Sequence, residues 1–351
     1  MVEHLSARQP LDLDALAPDL DSDRRDPTLT LDGWRKFVDS PAATFELLAE
    51  PEWQGLCGSD RYAYDEVRIS YHSEMVIVAT SAVRQVARQG QMLTMLNRRE
   101  IGARRGLIVS GAQTTGKSTA LKQLGRTHEL MLRERYPGRF EGRIPVVYVT
   151  TPPKGSPRKL AAEFARFLGL PEIKRGFNTT DIADAVCRVL TTAKVDLVLV
   201  DEIHNLNLAT AAGEDMSDHL KYFIEHLPAT FVYAGIDVEH KLFTGVRGKQ
   251  IAGRCVLIRT GAFPYQDEWR SMVATLEHAL RLHRHQPGTL IRNAKYLHRR
   301  TGGMIGSLSH LIRGAAQLAI LEGDEAITRK LLDSIPVDHV PESEGFGAGF
   351  A

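Results

Sequence analysis

The 351-residue chain is poor in cysteine: Cys57, Cys187 and Cys255 are the only three, far apart and without a CxxC pair. That argues against a disulfide framework or a paired-cysteine zinc module and fits a reducing compartment. No apolar stretch approaches the roughly 20 residues that span a bilayer. The first residues show no basic region followed by an apolar run, so no signal peptide is read there. The expectation is a soluble cytoplasmic protein. An excess of one charge is also missing, with 44 basic against 43 acidic residues. Bulk charge therefore singles out no partner, and no zinc-finger-like motif for reading bases is present.

Charge is instead distributed unevenly. Residues 1–30 carry seven acids against three arginines without periodicity and read as a mobile tail. Residues 84–105 hold six arginines (Arg84, Arg88, Arg98, Arg99, Arg104, Arg105) against Glu100, and residues 278–321 contain no acid at all. A third basic set is Lys154, Arg158 and Lys159. Each is a candidate phosphate-contacting surface, with a solvated helix face or a partner surface as the other reading, and the Lys154–Lys159 set is the stronger candidate.

The stretch "LIVSGAQTTGKST" matches G-x-x-x-x-G-K-S after a short apolar run and before a helical segment. That strand–loop–helix context is what a phosphate loop requires. Gly111, Ala112, Gln113, Thr114, Thr115, Gly116, Lys117, Ser118 and Thr119 would cradle the phosphates of ATP. Lys117 would reach the β- and γ-phosphates, and Ser118 would ligate Mg2+. "VDLVLVDEIHNL" follows, with Asp201 lying 84 residues after Lys117. Its apolar run reads as a buried parallel strand with Asp201 and Glu202 at its carboxyl edge. Asp201 would hold the metal through water, and Glu202 would orient the attacking water.

Further strands are read at 144–150, 229–236 and 255–259. Helices lie between them, one capped by Ser156–Pro157 and one over 181–190. The alternation predicts an α/β fold: a P-loop NTPase with a five-stranded parallel sheet covered by helices on both faces. After Tyr265 the pattern changes to three amphipathic helices, a small α-helical lid. The expected division is an N-terminal extension (1–64), a nucleotide-binding domain (65–262), a helical lid (263–337) and a flexible tail (338–351). The tryptophans read as core anchors, Met92 and Met95 as core positions of a helix, and His204 as a residue that packs or hydrogen-bonds beside its strand.

"KQIAGRC" stands where AAA+ ATPases of the clamp-loader kind place an arginine finger. That resemblance implies that Arg254 acts on the neighbouring subunit's γ-phosphate, with Arg247 the second candidate and a structural ion pair the alternative. Gly306 and its neighbours occupy the usual place of a second sensor arginine. Together, "SGAQTTGKST", "LVLVDEIHNL", "KQIAGRC" and "TGGMIGSLSHLI" resemble the TniB/TnsC family of transposition ATPases, relatives of MuB, over roughly residues 65–337. The resemblance implies a homo-oligomer, a ring or filament, that assembles on duplex DNA with ATP, recruits a DDE-type transposase and dissociates after hydrolysis. Lys154, Arg158 and Lys159 would then face the duplex and contact its backbone. The other reading is a nucleotide switch in a signalling or defence complex without DNA.

Overall fold

The computed structural model describes residues 26–74, 76–102, 104–170, 178–206, 211–241 and 246–337; side chains at 211–218, 240–241 and 246–248 are outside that description. Residues 1–25 of the tail read over 1–30, and the whole tail read over 338–351, lie outside the described residues.

The chain begins with α1 (Leu31–Asp39), α2 (Glu50–Gly55), α3 (Gly58–Ser73) and α4 (Ser81–Asn97). The alternating part follows: β1 (Gly106–Gly111), α5 (Lys117–Arg135), β2 (Val146–Thr150), α6 (Pro157–Phe167), α7 (Thr179–Thr192) and β3 (Leu197–Asp201). Next come α8 (Ala211–His226), β4 (Thr230–Gly235), α9 (Val238–Lys241), α10 (Val246–Ala252) and β5 (Cys255–Thr260). The last helices are α11 (Asp267–His278), α12 (Thr289–Arg292), α13 (Ala294–Thr301), α14 (Ile305–Leu321) and α15 (Arg329–Ser334). No single helix among the described residues is long and apolar enough to cross a membrane.

Two compact units interleave along the sequence. One contains 79–262 together with 26–41; the other contains 42–78 together with 263–337.

In the first unit the five strands are parallel in the order β2-β3-β4-β1-β5. The connection from β1 to β2 runs one way across the sheet and all later ones run back. Right-handed crossovers therefore put α5 on one face and α6, α7, α8 and α10 on the other. β3 is buried at every position, as its unbroken apolar run requires. Local signals fix the helix starts. Ser156 accepts from the Lys159 N–H at 3.3 Å with Pro157 in the first turn, and Asn178 and Asp181 cap each other reciprocally.

Residues 26–30 are not part of a free tail. Asp26 accepts from Lys122 Nζ at 2.5 Å, and Thr30 caps α1. α1 then buries Trp34, whose ring stacks 6.0 Å from Tyr148 and whose Nε1 donates to Glu129 at 2.8 Å. The indole lies on α5 where Gly125 sits: an added Cβ there would stand 2.7 Å from it. Met92 and Met95 face outward, contrary to the sequence expectation. The buried stripe of α4 is Val86, Gly90, Leu93, Thr94 and Asn97, one helical face, and the methionines fall off it.

Besides the three helices read from the sequence after Tyr265, the second unit has two short ones, α12 and α13, between α11 and α14. Its core holds Trp269, Leu297, Leu308 and Leu311, with Ile69 of α3 packed against it. Residues 45–67 carry a satellite core of Phe45, Trp53, Tyr64 and Val67, which the sequence did not announce. Trp53 stacks on His283 at 4.1 Å, with Arg61 and Arg284 over its ring.

Each unit buries a histidine. Burial above all pushes His72 down to about 4, and Arg68 and Arg281 add to it; burial does the same for His219. Both rings stay neutral in the folded chain while their unfolded counterparts protonate below about 6.5. Stability is therefore intact above pH 6.5 and falls as pH drops from 6.5 towards 4, by up to about 3 kcal/mol per histidine. The urea midpoint should fall steeply across that window. His72→Gln, which keeps an acceptor for the Arg281 N–H, should flatten part of the slope.

Candidate ATP site

β1 delivers the phosphate loop. Gly111 pairs with Thr260 of β5, and a Cβ on Gly111 would stand 2.1 Å from the Thr260 carbonyl oxygen. Only glycine lets the two strand ends close up. Thr114 and Gly116 both take positive φ, 57° and 85°, which turns the loop into α5. Thr115 pins it: its hydroxyl donates to Ala112 O at 2.9 Å and lies 2.9 Å from Thr260 Oγ1. Ala112, Gln113 and Thr114 are exposed, and Ser118 and Thr119 are half-buried in the first turn of α5.

Lys117 is 6% exposed, and its Nζ donates to Ala112 O at 2.5 Å. Burial pushes this lysine below the ordinary value, while the charges of Glu202 and Asp201 pull the other way. The structure thus gathers Lys117, Asp201 and Glu202 at the carboxyl ends of β1 and β3, where open α/β sheets bind ligands.

Asp201 is buried. Its Oδ2 accepts from Tyr148 Oη at 2.9 Å, and its Oδ1 accepts from the Glu202 N–H at 2.8 Å. Burial, and then the Asp201 charge, raise the Tyr148 phenol far above its ordinary value, so it remains a donor. These two bonds leave the carboxylate further lone pairs, and that donor set suits a hydrated divalent cation shared with Ser118. Tyr148 was missed from sequence; its only signal was a hydroxyl inside an apolar strand.

Glu202 takes a positive φ of 53° and opens a 3-10 turn, Ile203–Asn205. Its side chain is 40% exposed, and Oε2 lies 3.5 Å from His204 Nε2. The turn is tied to neighbouring segments: Asn205 Nδ2 donates to Thr151 O at 2.9 Å, and the Gly155 N–H donates to Asn205 O at 3.3 Å. Lys154 and Lys159 are exposed and Arg158 is half-buried, so the basic set lies in the segment bonded to the turn after Glu202.

Arg254 is not brought to this loop. Its carbonyl accepts from the Gly106 N–H at 3.0 Å, at the amino end of β1, and its Nη1 donates to Gly102 O at 3.4 Å. Gly106 and Gly111 are five strand steps apart, about 17 Å at about 3.3 Å per residue. An arginine side chain cannot cross that. Arg254 instead lines a cavity of about 550 Å3 with Arg104, Arg105, Lys221, Lys249 and Phe231. The side chain of Arg247 lies outside the described residues.

The acid-free run 278–321 is less available than its sequence suggests. Arg281 Nε donates to Phe45 O at 2.6 Å, Arg300 pairs with Asp333 at 3.2 Å, and Arg313 donates to the His72 and Ser73 carbonyls. Arg313 is also the one arginine of α14, beyond the Gly306 position, and it is spent on the end of α3. Acceptors from outside the run occupy these guanidinium donors, though of these acceptors only Asp333 opposes their charge. Burial pushes the thiols of Cys187 and Cys255 up to about 12, which makes both poor nucleophiles.

The fold is that of AAA+ ATPases. The chain is similar to the Orc1 protein of Aeropyrum pernix, solved in complex with DNA, with 17% identity and a TM-score of 0.58 over 75% of this chain and 66% of that one. It is similar also to the Orc2 protein of the same organism, with 16% identity and a TM-score of 0.56 over 74% and 67%. A third likeness is Cdc6p of Pyrobaculum aerophilum, with 16% identity and a TM-score of 0.52 over 75% and 73%. The chain spans about two thirds of the length of the first of these. No curated protein matches it in sequence. The model of the bacterial TniB protein matches residues 68–258, more than half of the chain, including the phosphate loop, Asp201, Glu202 and Arg254. The chain belongs to the TniB family of transposition-associated AAA+ ATPases.

Proposed function

We propose that this protein hydrolyses ATP as a homo-oligomer assembled on duplex DNA and uses the bound nucleotide to time its stay there. The observation that carries the reading is the split site. Lys117, Asp201 and Glu202 converge at one edge of the sheet, while Arg254 stands about a full strand length away. One chain holds the nucleotide and the water-orienting group, and the next supplies the cation for the γ-phosphate.

In this reading the loop from Gly111 to Thr119 binds the triphosphate through its N–H groups. Lys117 exchanges its bond to Ala112 O for phosphate oxygens of higher charge. Ser118 would ligate Mg2+ and Asp201 would hold it through water, and the ion would neutralise phosphate charge when bound. Glu202 orients the attacking water and polarises it.

Lys154, Arg158 and Lys159 are the proposed backbone contacts to duplex. The bonds of Gly155 and Asn205 place their segment beside the turn that follows Glu202. DNA in the Orc1 complex adds support of the same kind. Contacts of this type read no bases, so binding should be indifferent to sequence and should weaken steeply with salt. A DDE-type transposase is the proposed partner, recruited while ATP is bound.

Anisotropy of a labelled duplex tests the reading. With ATP and Mg2+ at low salt, the wild type should bind and Lys117→Ala should not. Glu202→Gln should bind and persist after wild-type complexes have dissociated. If the wild type ignored duplex under these conditions, DNA would be eliminated as the scaffold and a nucleotide switch acting on proteins alone would stand.

A further inference from the structure

We infer that His204 is a positioning residue for hydrolysis: it holds the Glu202 carboxylate in register with the end of β4. The inference rests on the reading of Glu202 as the water-orienting group and names what fixes that group in place.

Glu202 by itself is poorly constrained. Its side chain is 40% exposed, and a chain with so many rotamers loses conformational entropy when it is fixed. His204 supplies a restraint. The Ile236 N–H donates to His204 Nδ1 at 3.2 Å, so that nitrogen carries a lone pair and the ring proton sits on Nε2. Nε2 is the atom that stands 3.5 Å from Glu202 Oε2, a polar contact a few tenths of an ångström longer than an ordinary N–H···O hydrogen bond. A backbone amide thus selects the tautomer that presents a donor to the carboxylate.

The anchor is firm at both ends. Asn205, the last residue of the same turn, bonds to Thr151 beyond β2, and its N–H donates to Glu202 O at 2.9 Å. On the other side β4 abuts the turn: a Cβ on Gly235 would stand 3.1 Å from His204 N and 3.0 Å from Ile203 Cγ2. Two residues past Ile236, the Val238 N–H donates to Ser110 Oγ, next to Gly111 of the phosphate loop. His204 therefore cannot shift without moving the end of β4, and Glu202 is referenced to the strand that borders β1. Engaging one carboxylate oxygen in this way leaves the other for water.

Single-turnover and steady-state ATP hydrolysis, with ATP affinity measured separately, test this on full-length protein. His204→Ala should lower kcat on the order of tenfold to a hundredfold, as loss of an orienting partner does, with ATP affinity within about twofold. Combined with Glu202→Gln, it should cause no further loss, because the group it positions is gone. His204→Gln, whose amide reaches the place of Nε2–H, should restore part of the rate. His204→Asn, which keeps only an acceptor for Ile236, should not. Melting temperatures identify any variant that fails to fold, and the Gln–Asn contrast then carries the test.

An unchanged kcat in His204→Ala would overturn the inference. So would a parallel loss of ATP affinity, or the same fold-loss in the Glu202→Gln background. Normal turnover by Glu202→Gln alone would instead sink the underlying reading of Glu202. A slow Glu202→Gln beside a full-speed His204→Ala sinks only the role of His204.

Discussion

Mixing Lys117→Ala and Arg254→Ala subunits is expected to restore ATP turnover that neither variant shows alone. Lys117→Ala removes the one cation buried in its own loop but leaves Arg254 intact at the far edge of β1 and β5. Arg254→Ala has the converse defect: its loop, Asp201 and Glu202 are complete, and the cation for its neighbour is missing. A finger of this kind is worth roughly 10³–10⁵ in rate, so each homogeneous preparation should be nearly silent. In an equimolar assembly about a quarter of head-to-tail interfaces would pair an intact loop with an intact finger. Turnover should rise with protein concentration and far exceed the sum of the separate rates. Arg254→Ala should bind ATP normally as a monomer, since the arginine lies about 17 Å from the loop of its own chain. Rates that merely add would assign Arg254 a local role, through its contact with Gly102 or the basic cavity it lines.

The second large effect belongs to stability. Glu325→Ala is expected to cost about 3–5 kcal/mol, because it leaves a fully buried guanidinium short of its main partner. Arg68 and Glu325 are both 0% exposed and form a two-pronged pair, Nη1–Oε2 at 2.6 Å and Nη2–Oε1 at 2.7 Å. Burial alone would lower Arg68, but its bonds to Glu325 and Asp65 more than reverse this and raise it. Glu325 also accepts from the His283 N–H at 3.1 Å, so the carboxylate joins α3, the segment after α11 and the turn before α15. Glu325→Gln, which keeps an acceptor, should cost less than Glu325→Ala. Replacing both partners by apolar residues of similar volume should cost less again, since no charge is then stranded. Chemical denaturation of the four proteins checks the order. A Glu325→Ala variant within about 1 kcal/mol of the wild type would show that Asp65 suffices for Arg68.

The fold elements that carry the candidate site were largely legible in the sequence. The phosphate loop is local: the spacing of Gly111, Gly116 and Lys117 dictates a turn between a strand and a helix, and no distant contact is needed to see it. β3 was legible because a strand buried on both faces must be apolar throughout, which marks Asp201 and Glu202 as the residues that emerge at its end. The crossover helices announced themselves through their caps and apolar spacing. Tyr148 and His204 could not be ranked this way. Each matters through a partner 53 or 32 residues distant, and a hydroxyl or an imidazole in a strand or turn has no local signature of that partner.

The partners of the arginines in the acid-free run and the place of the N-terminal segment were not legible, for the same reason. The arginines of 278–321 look unopposed along the chain, yet in space carbonyls of Phe45, His72 and Ser73 and the carboxylate of Asp333 meet them. Residues 26–41 carry no strong periodicity beyond one short helix, and they become core only because Gly125 of α5 leaves room for Trp34. Sequence by itself determined the loop, the acidic pair, the order of strands and helices and the family, since these depend on short-range spacing and backbone hydrogen bonding. Tertiary structure alone decided that Arg254 is out of reach of its own loop, that the His204 ring stands 3.5 Å from the Glu202 carboxylate and that α3 is tied to the turn before α15 through Arg68 and Glu325. Those facts depend on which residues parallel strands and packed helices bring face to face, and separation along the chain does not encode them.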